Sequence, residues 1–213
     1  MQTRRPWLRR ASVTAVSAAA LVAMAAPADA ATSTSASTAA TTATTAAAAE
    51  VDYATWQKDC QAVMDQAQPY LKQRIASTRP GEKQAIVFDI DNTTLETDFG
   101  FSYPQPANKP VLEVARYAQD HGVALFFVTA RPDIIYSVTE HNLKQAGYQV
   151  SGLRVRGFID LFKNVAEYKT AQRADIESKG YTIIANIGNS ATDLSGGHAE
   201  KTYKLPDYDG QLS

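Results

Sequence analysis

The fold and the chemistry of this chain are decided by one stretch, Ala85-Ile86-Val87-Phe88-Asp89-Ile90-Asp91-Asn92-Thr93. Its first four residues form a continuous apolar run, which predicts a strand buried on both faces within a parallel sheet. Alternate residues of an extended chain point to the same side, so the two aspartates that follow are expected to share one face. The carboxylates of Asp89 and Asp91 can therefore meet one ion where the strand ends.

Further apolar runs alternate with helical patterns along the rest of the chain. Strands are predicted at 123–128, 153–156, 181–187 and 201–205. Helices are predicted at 111–121, 133–145 and 164–179, and glycines stand where each should stop. Residues 51–77 are also helical in pattern, with a break near Pro69. This alternation predicts an α/β fold with a mainly parallel sheet, whose ligand site lies at the carboxyl ends of the strands.

The aspartate pair suits phosphoryl chemistry. An ionised carboxylate can attack phosphorus and form an acyl phosphate, which water hydrolyses. A divalent cation must offset the repulsion between carboxylate and phosphate, and Mg²⁺ prefers oxygen ligands of this kind. Crowding two carboxylates raises their proton affinity, so Asp91 can act as general acid and then base, with Asp89 as the nucleophile. The alternative is that both are strand-end turn residues.

Polar residues also follow the second apolar run. Thr129, Ala130 and Arg131 offer a hydroxyl and backbone N–H groups at a strand-to-helix turn, and these suit phosphoryl oxygens. Arg131 is a partner for the phosphate or the leaving group. The alternatives are a helix cap for Thr129 and a surface ion pair for Arg131.

The third apolar run leads to Asn189 and Asp193. Asp193 can complete the metal site or cap a short helix. On the preceding helix, either Lys169 or Lys163 can place an ammonium group against the phosphate. The residues alone leave both choices open.

The first 30 residues have the order of a signal peptide. Four arginines begin it, an uncharged Ala-rich run follows, and Ala28-Asp29-Ala30 ends it. The run is weaker than the roughly 20 strongly apolar residues of a spanning helix, so cleavage rather than a stable membrane anchor is expected. The pair Arg4-Arg5 also resembles a twin-arginine signal, which leaves the export route open. The protein is therefore expected to be secreted.

Residues 31–49 are almost entirely Ala, Thr and Ser, which predicts a disordered linker before a single domain at 50–213. Of the 21 basic and 22 acidic residues, four arginines and one aspartate lie in the leader, so the mature chain is net acidic. Nucleic-acid binding through a basic surface is not expected. Cys60 is the single cysteine, so no intramolecular disulfide can form. Oligomeric state stays open.

Together these sites resemble the haloacid dehalogenase-type (HAD) superfamily of phosphohydrolases. Residues 88–95 are similar to its first motif and residues 127–129 to its second. The register from Tyr168-Lys169 through Gly188 to Lys204-Leu205-Pro206 resembles the secreted acid phosphatase subfamily that includes plant vegetative storage proteins. This register selects Lys169 over Lys163.

The resemblance implies a Rossmann-like three-layer core, a Mg²⁺ cofactor and small-molecule phosphate monoesters as substrates. It implies Asp89 as nucleophile, Asp91 as acid and base, Thr129 and Lys169 as phosphate holders, and acidic residues of the last motif as metal ligands. Asn189 departs from that motif, because it replaces the first aspartate with a neutral amide oxygen.

The resemblance leaves room for only a short cap between residues 94 and 110. Phe99, Phe101, Tyr103, Pro104 and Pro106 suggest an aromatic lid over the leaving group or, alternatively, a packed surface loop. An open site favours broad substrate use. The competing functions are a nucleotidase or phosphotransferase with the same chemistry, and a storage or phosphate-binding protein without turnover.

Overall fold

The computed structural model describes residues 50–100 and 102–212. Predictions for the leader, the linker, Phe101 and Ser213 lie outside these residues. The helices of the described part are α1 Tyr53–Ala76, α2 Lys109–Asp120, α3 Tyr136–Gln145, α4 Val165–Ser178 and α5 Ala191–Leu194. The strands are β1 Lys83–Phe88, β2 Ala124–Pro132, β3 Gly152–Arg156, β4 Tyr181–Gly188 and β5 Thr202–Lys204.

The five strands form one sheet in the order β3-β2-β1-β4-β5, and every pair is parallel. The chain runs outward from β1 to β3 on one side and returns to β4 on the other. The carboxyl ends of β1 and β4 therefore border the point where the strand order reverses, which is where α/β sheets bind ligands. The predicted fold class is confirmed.

Two hydrophobic cores lie on opposite faces of the sheet. Ile86 and Phe88 of β1 join the core formed with α1, α2 and α3. Ala85 and Val87 face the other way, into a smaller core with Tyr168 of α4. The alternation of strand side chains thus gives three layers, and it explains why β1 is apolar throughout its central residues.

The helix α1 corrects the predicted break near Pro69. It is one continuous helix of 24 residues with Pro69 inside it. Pro69 is exposed, so water can satisfy the backbone carbonyl that proline leaves without an N–H donor. Buried Ala67 and Leu71 on either side pack into the core and hold the helix across this point.

The strand β2 corrects the turn predicted at residues 129–132. β2 continues to Pro132, and its register against β3 shifts between Val128 and Pro132. Thr129 therefore lies in an irregular extended segment and not at a helix cap. A 3-10 turn, Asp133–Ile135, precedes α3. No helix in the described part of the chain has the length and apolar character needed to cross a membrane.

Residues 95–107 form the short loop in place of a cap domain. A bridge between Leu95 and Ala107 closes it. Phe99 stacks on Trp56 of α1, with ring centroids 4.4 Å apart, so this aromatic ring packs against the core and does not cover the site. Tyr103 is 58% exposed. The loop is thus partly a packed surface loop, and Tyr103 is its most open described aromatic residue.

Candidate active site

A buried chain of charges joins three of the predicted site residues. The Nζ atom of Lys169, on α4, lies 2.6 Å from Oδ1 of Asp89 and 2.5 Å from Oδ1 of Asp193. All three side chains are almost completely buried. The ammonium thus binds two carboxylates from β1 and α5, where opposite charge offsets the cost of burial.

Asp193 is held in place from several directions. Its Oδ2 atom accepts a hydrogen bond from the Ser190 backbone, 2.7 Å away, as part of a capping box at the start of α5. Gly188 makes room for it, because a Cβ there would collide with the Asp193 side chain. The Asp193 carbonyl accepts hydrogen bonds from Arg173 and Asn186, at 2.6 and 2.9 Å. Both carboxylate oxygens are engaged by nitrogen donors, so Asp193 holds Lys169 instead of presenting a free oxygen.

Burial and the neighbouring charges shift the pKa values of Asp89 and Lys169. Burial raises the pKa of Asp89 to about 7, although the Lys169 ammonium opposes the shift. Burial lowers the pKa of Lys169, but the two carboxylates outweigh it and the pKa is raised. Lys169 is therefore a fixed positive charge. Within the described residues, no group donates a hydrogen bond to Oδ2 of Asp89, which leaves that atom free to react or to bind an ion.

Asp91 lies two residues on and faces a different cation. Oδ1 of Asp91 is 2.6 Å from Nη2 of Arg131 and also accepts a hydrogen bond from the Thr97 hydroxyl, at 2.9 Å. This is the ion-pair alternative for Arg131, with Asp91 as its partner. Thr97 has no signal in the sequence that predicts this contact.

Asn189 is buried directly after β4. Its Oδ1 atom accepts a hydrogen bond from the Thr93 hydroxyl at 3.2 Å, and its Nδ2 atom donates to the backbone carbonyl of Leu212. Asn189, which replaces the aspartate of the family motif, thus makes a contact that aspartate cannot make, because only an amide supplies the N–H donor.

The second-motif residues lie at the edge of this group. Thr129 is fully buried, and its hydroxyl accepts a hydrogen bond from the Arg131 backbone at 3.1 Å. Ala130 lines the cavity described next, whereas Thr129 does not. Of these two predicted phosphate holders, the structure therefore places Ala130, and not Thr129, on the wall of the cavity.

A cavity of about 270 Å³ collects most of these side chains. The predicted residues that line it are Asp89, Asp91, Ala130, Lys169, Asn189 and Asp193. Among the described residues, no three His, Cys, Asp or Glu side chains are grouped as a metal site of those types would need. Four aspartates and two asparagines line the cavity, namely Asp89, Asp91, Asp98, Asp193, Asn92 and Asn189. Hard oxygen donors of this kind fit a divalent cation such as Mg²⁺.

Comparison with known proteins identifies the family. The model for HAD superfamily, subfamily IIIB (acid phosphatase), matches residues 9–105 and 102–211. The chain belongs to this family. HAD superfamily enzymes generally use a divalent metal ion, in agreement with the oxygen donors of the cavity.

Proteins with sequences similar to this chain include plant proteins. The stem 28 kDa glycoprotein of Glycine max is 34% identical over 119 residues, covering 54% of this chain and 47% of that protein. Acid phosphatase 1 of Solanum lycopersicum is 33% identical over 87 residues, covering 40% and 34%. The chain spans about half the length of the curated relatives it matches, or less.

Solved structures share the fold. The class C acid phosphatase from Bacillus anthracis superposes with a TM-score of 0.59 at 17% identity, over 74% of this chain and 80% of that chain. The form with tungstate bound gives a TM-score of 0.56 at 16% identity, with the same coverage of both chains. The family model confirms the predicted family, and these structures share the predicted α/β fold.

Proposed function

We propose that the protein is a Mg²⁺-dependent phosphatase that hydrolyses phosphate monoesters through an aspartyl-phosphate on Asp89. The observation that carries this proposal is the buried contact of Lys169 with Asp89 and Asp193, beside Asp91 and in one cavity. A carboxylate with one free oxygen, next to a fixed cation, can act as a nucleophile on a phosphoryl group.

The reaction has two displacements. Oδ2 of Asp89 attacks phosphorus, the bond from phosphorus to the alcohol oxygen breaks, and Asp91 gives its proton to that oxygen. Water then attacks the same phosphorus and loses a proton to Asp91, which releases inorganic phosphate and restores the Asp89 carboxylate. Lys169 offsets the negative charge of the phosphoryl oxygens in both steps.

Asp89, Asp91 and Asn189 would hold the metal ion. When bound there, a divalent cation supplies positive charge that favours ionised Asp89 and reduces its repulsion with the phosphate. The backbone at Ala130 would complete the proposed phosphate site, and the Thr129 hydroxyl would support that backbone through its hydrogen bond with the Arg131 N–H.

The names of the relatives support phosphate esters as substrates, since two of them are acid phosphatases and one of these was solved with tungstate, an anion of similar shape to phosphate. Among the described residues of the 95–107 loop, Thr97 and Asp98 line the cavity, so this loop borders the proposed substrate site. We also include export from the cytoplasm in the proposal, on the basis of the leader sequence.

A second candidate is a phosphate-binding protein without turnover. Two observations favour it: Asn189 lowers the charge of the metal site, and Arg131 neutralises the residue that must supply a proton. Binding of inorganic phosphate by calorimetry, without hydrolysis of any monoester, would identify this function.

The test of the proposal is replacement of Asp89 by asparagine. The change keeps the volume but removes the attacking charge, so hydrolysis of p-nitrophenyl phosphate with Mg²⁺ should fall by at least about a thousandfold. Circular dichroism should stay unchanged, and beryllofluoride should bind only the wild type. Asp120→Asn, an exposed site at the end of α2, is the matched control. Full activity in Asp89→Asn would place the nucleophile elsewhere.

A further inference from the structure

A second cavity of about 470 Å³ lies between the 95–107 loop and α3. Thr97 lines both this cavity and the one that contains Asp89. The two spaces are therefore neighbours, and whatever occupies the first can extend into the second.

Asp91 lies where the two cavities meet. Its Oδ1 atom contacts Thr97 at 2.9 Å and Arg131 at 2.6 Å, and both of these residues line the second cavity. In the proposed reaction Asp91 gives its proton to the alcohol oxygen. The alcohol must then lie on the Asp91 side of the phosphoryl group, and its body points into the second cavity.

Three large apolar side chains form much of the open wall of this cavity. Tyr103, Ile135 and Val138 line it, and Tyr103 and Val138 are 58% and 51% exposed. Large apolar side chains at this exposure leave area that an apolar ligand can remove from water. Ile135 is half-buried and continues the same surface.

Several polar groups of the cavity are already paired with one another. Arg131 is neutralised by Asp91 and donates to Oε1 of Gln105 at 3.0 Å. The Asn142 side chain exchanges two hydrogen bonds with the backbone of Gln105, at 2.9 and 2.8 Å. A leaving group rich in hydroxyl groups would give up its hydrogen bonds to water and find few free partners here.

We propose that this cavity is the leaving-group site and that it selects phosphate monoesters of bulky apolar alcohols, aliphatic or aromatic, over those of small polar alcohols. This inference rests on the proposed function, because it uses Asp91 as the proton donor. It adds a substrate class to that function, which the family alone does not give.

The test is a series of monoesters with the same chemistry at the reacting bond. The kcat/KM values of ethyl, butyl and hexyl phosphate, with glycerol phosphate as the polar member, are measured at fixed pH and Mg²⁺. We expect kcat/KM to rise about threefold for each added methylene, since each buries apolar surface. Glycerol phosphate should be no better than ethyl phosphate.

Substitutions in the cavity wall test whether this cavity causes the selection among alcohols. Val138→Ser and Tyr103→Ser should each flatten the rise from ethyl to hexyl phosphate. Phe158→Ser is the matched control, because Phe158 is 73% exposed but does not line the cavity, and it should leave the rise unchanged.

Three outcomes would overturn the inference. Equal kcat/KM along the series would disprove apolar selection and leave the phosphatase function intact. A rise that persists unchanged in Val138→Ser and Tyr103→Ser would place the selection outside this cavity. Hydrolysis of none of the esters would refute the proposed function itself, and the inference with it.

Discussion

Asn189 donates a hydrogen bond that the aspartate found at this position of the family motif cannot donate. The Leu212 carbonyl is an acceptor only, so the amide nitrogen of Asn189 must face it. This turns the amide oxygen towards the Thr93 hydroxyl, from which it accepts a hydrogen bond. Leu212 is buried in the main core, and Tyr208 in the same segment donates a hydrogen bond to Asp59 of α1. Asn189 thus joins the 207–212 segment to the site.

Replacing Asn189 by aspartate should have two opposite effects. A carboxylate oxygen facing the Leu212 carbonyl loses the hydrogen bond, so amide exchange in 207–212 should rise about tenfold, as expected for a loss of ~1.4 kcal/mol. The added charge should tighten Mg²⁺ binding. Hydrogen-exchange mass spectrometry and calorimetric Mg²⁺ titration measure these separately.

Thr93→Val is the matched control for Asn189→Asp, because it removes the hydroxyl on the other side of the amide and keeps the Leu212 contact. Amide exchange in 207–212 should then stay near the wild-type rate. Unchanged exchange in Asn189→Asp would show that the amide does not hold the segment. Unchanged half-saturation by Mg²⁺ would show that Asn189 is not a ligand.

The sequence pattern could place Asp89 and Asp193 near one another, because each follows a strongly apolar strand and parallel strands end at one edge. Lys169 is selected over Lys163 by the resemblance to the HAD family and not by the pattern. The pattern could not predict the contacts of Thr97 or Leu212. Both lie in irregular segments, whose path depends on tertiary packing and leaves no periodic signal. The roles of the site residues in catalysis stay predictions, since they depend on substrate and metal.

The helix α1 shows how packing overrides a local breaker. Pro69→Ala restores one backbone hydrogen bond on the exposed face and removes the ring clash with the preceding turn. The free energy of unfolding should rise by about 1–3 kcal/mol. The upper value is the full difference in helix propensity between proline and alanine, and the gain is reduced because alanine also gives the unfolded chain more conformational freedom. Urea denaturation measures it. Gln66→Ala, also exposed on α1, should change stability by less than about 0.5 kcal/mol. No gain in Pro69→Ala would show that the helix has already relaxed around the proline.

An ionic network fastens the end of α1 to the sheet. Arg74 bonds Glu82, just before β1, and its Nε atom lies 2.8 Å from Glu200, before β5. The hydrogen bonds from Arg74 and from the Arg79 backbone lower the pKa of Glu82 to about 2, and Arg74 also lowers the pKa of Glu200. A folded-state pKa below the unfolded value means that this stabilisation is complete above about pH 4.5 and is lost as the pH falls towards 2.

Replacing Arg74 by methionine tests this link between elements. The free energy of unfolding of the wild type should fall more steeply from pH 4.5 to 2 than that of Arg74→Met. Denaturant titrations across this range give both curves. In Arg79→Met the wild-type slope should persist, since Arg79 bonds Glu82 through its backbone. Parallel curves for wild type and Arg74→Met would mean that the network carries no pH-dependent stability.

The presence of each strand is easier to predict from the sequence than the residue at which it ends. The apolar runs of β1, β2 and β4 reflect burial on both faces, which the sequence records directly. The extension of β2 to Pro132 is not recorded in this way, because its last residues are polar or proline and their pairing with β3 is interrupted. Helix ends were predictable where glycine follows, as at Gly180, whose φ of 86° suits the left-handed region.

At the scale of the whole molecule, the parallel sheet brings residues from separate segments of the sequence together in one site. Residues from four places in the sequence, around 89, 131, 169 and 193, meet at the carboxyl edge because β1, β2 and β4 are neighbours. This convergence follows from strand order, which the alternation of strands and helices restricts but does not fix. The structure gives the order as β3-β2-β1-β4-β5.

Residues 1–30 are predicted to direct export of the chain. The basic start, the uncharged Ala-rich run and the Ala28-Asp29-Ala30 end predict cleavage after Ala30, so the mature protein should begin at Ala31 outside the cytoplasm. N-terminal sequencing of the exported protein measures this. Bulky Ala28→Leu should block cleavage, because the peptidase accepts only small side chains there, and Arg4→Lys with Arg5→Lys should reduce export only on the twin-arginine route. A mature chain that still begins with Met1, or equal cleavage of Ala28→Leu, would show that residues 1–30 are not a cleaved leader.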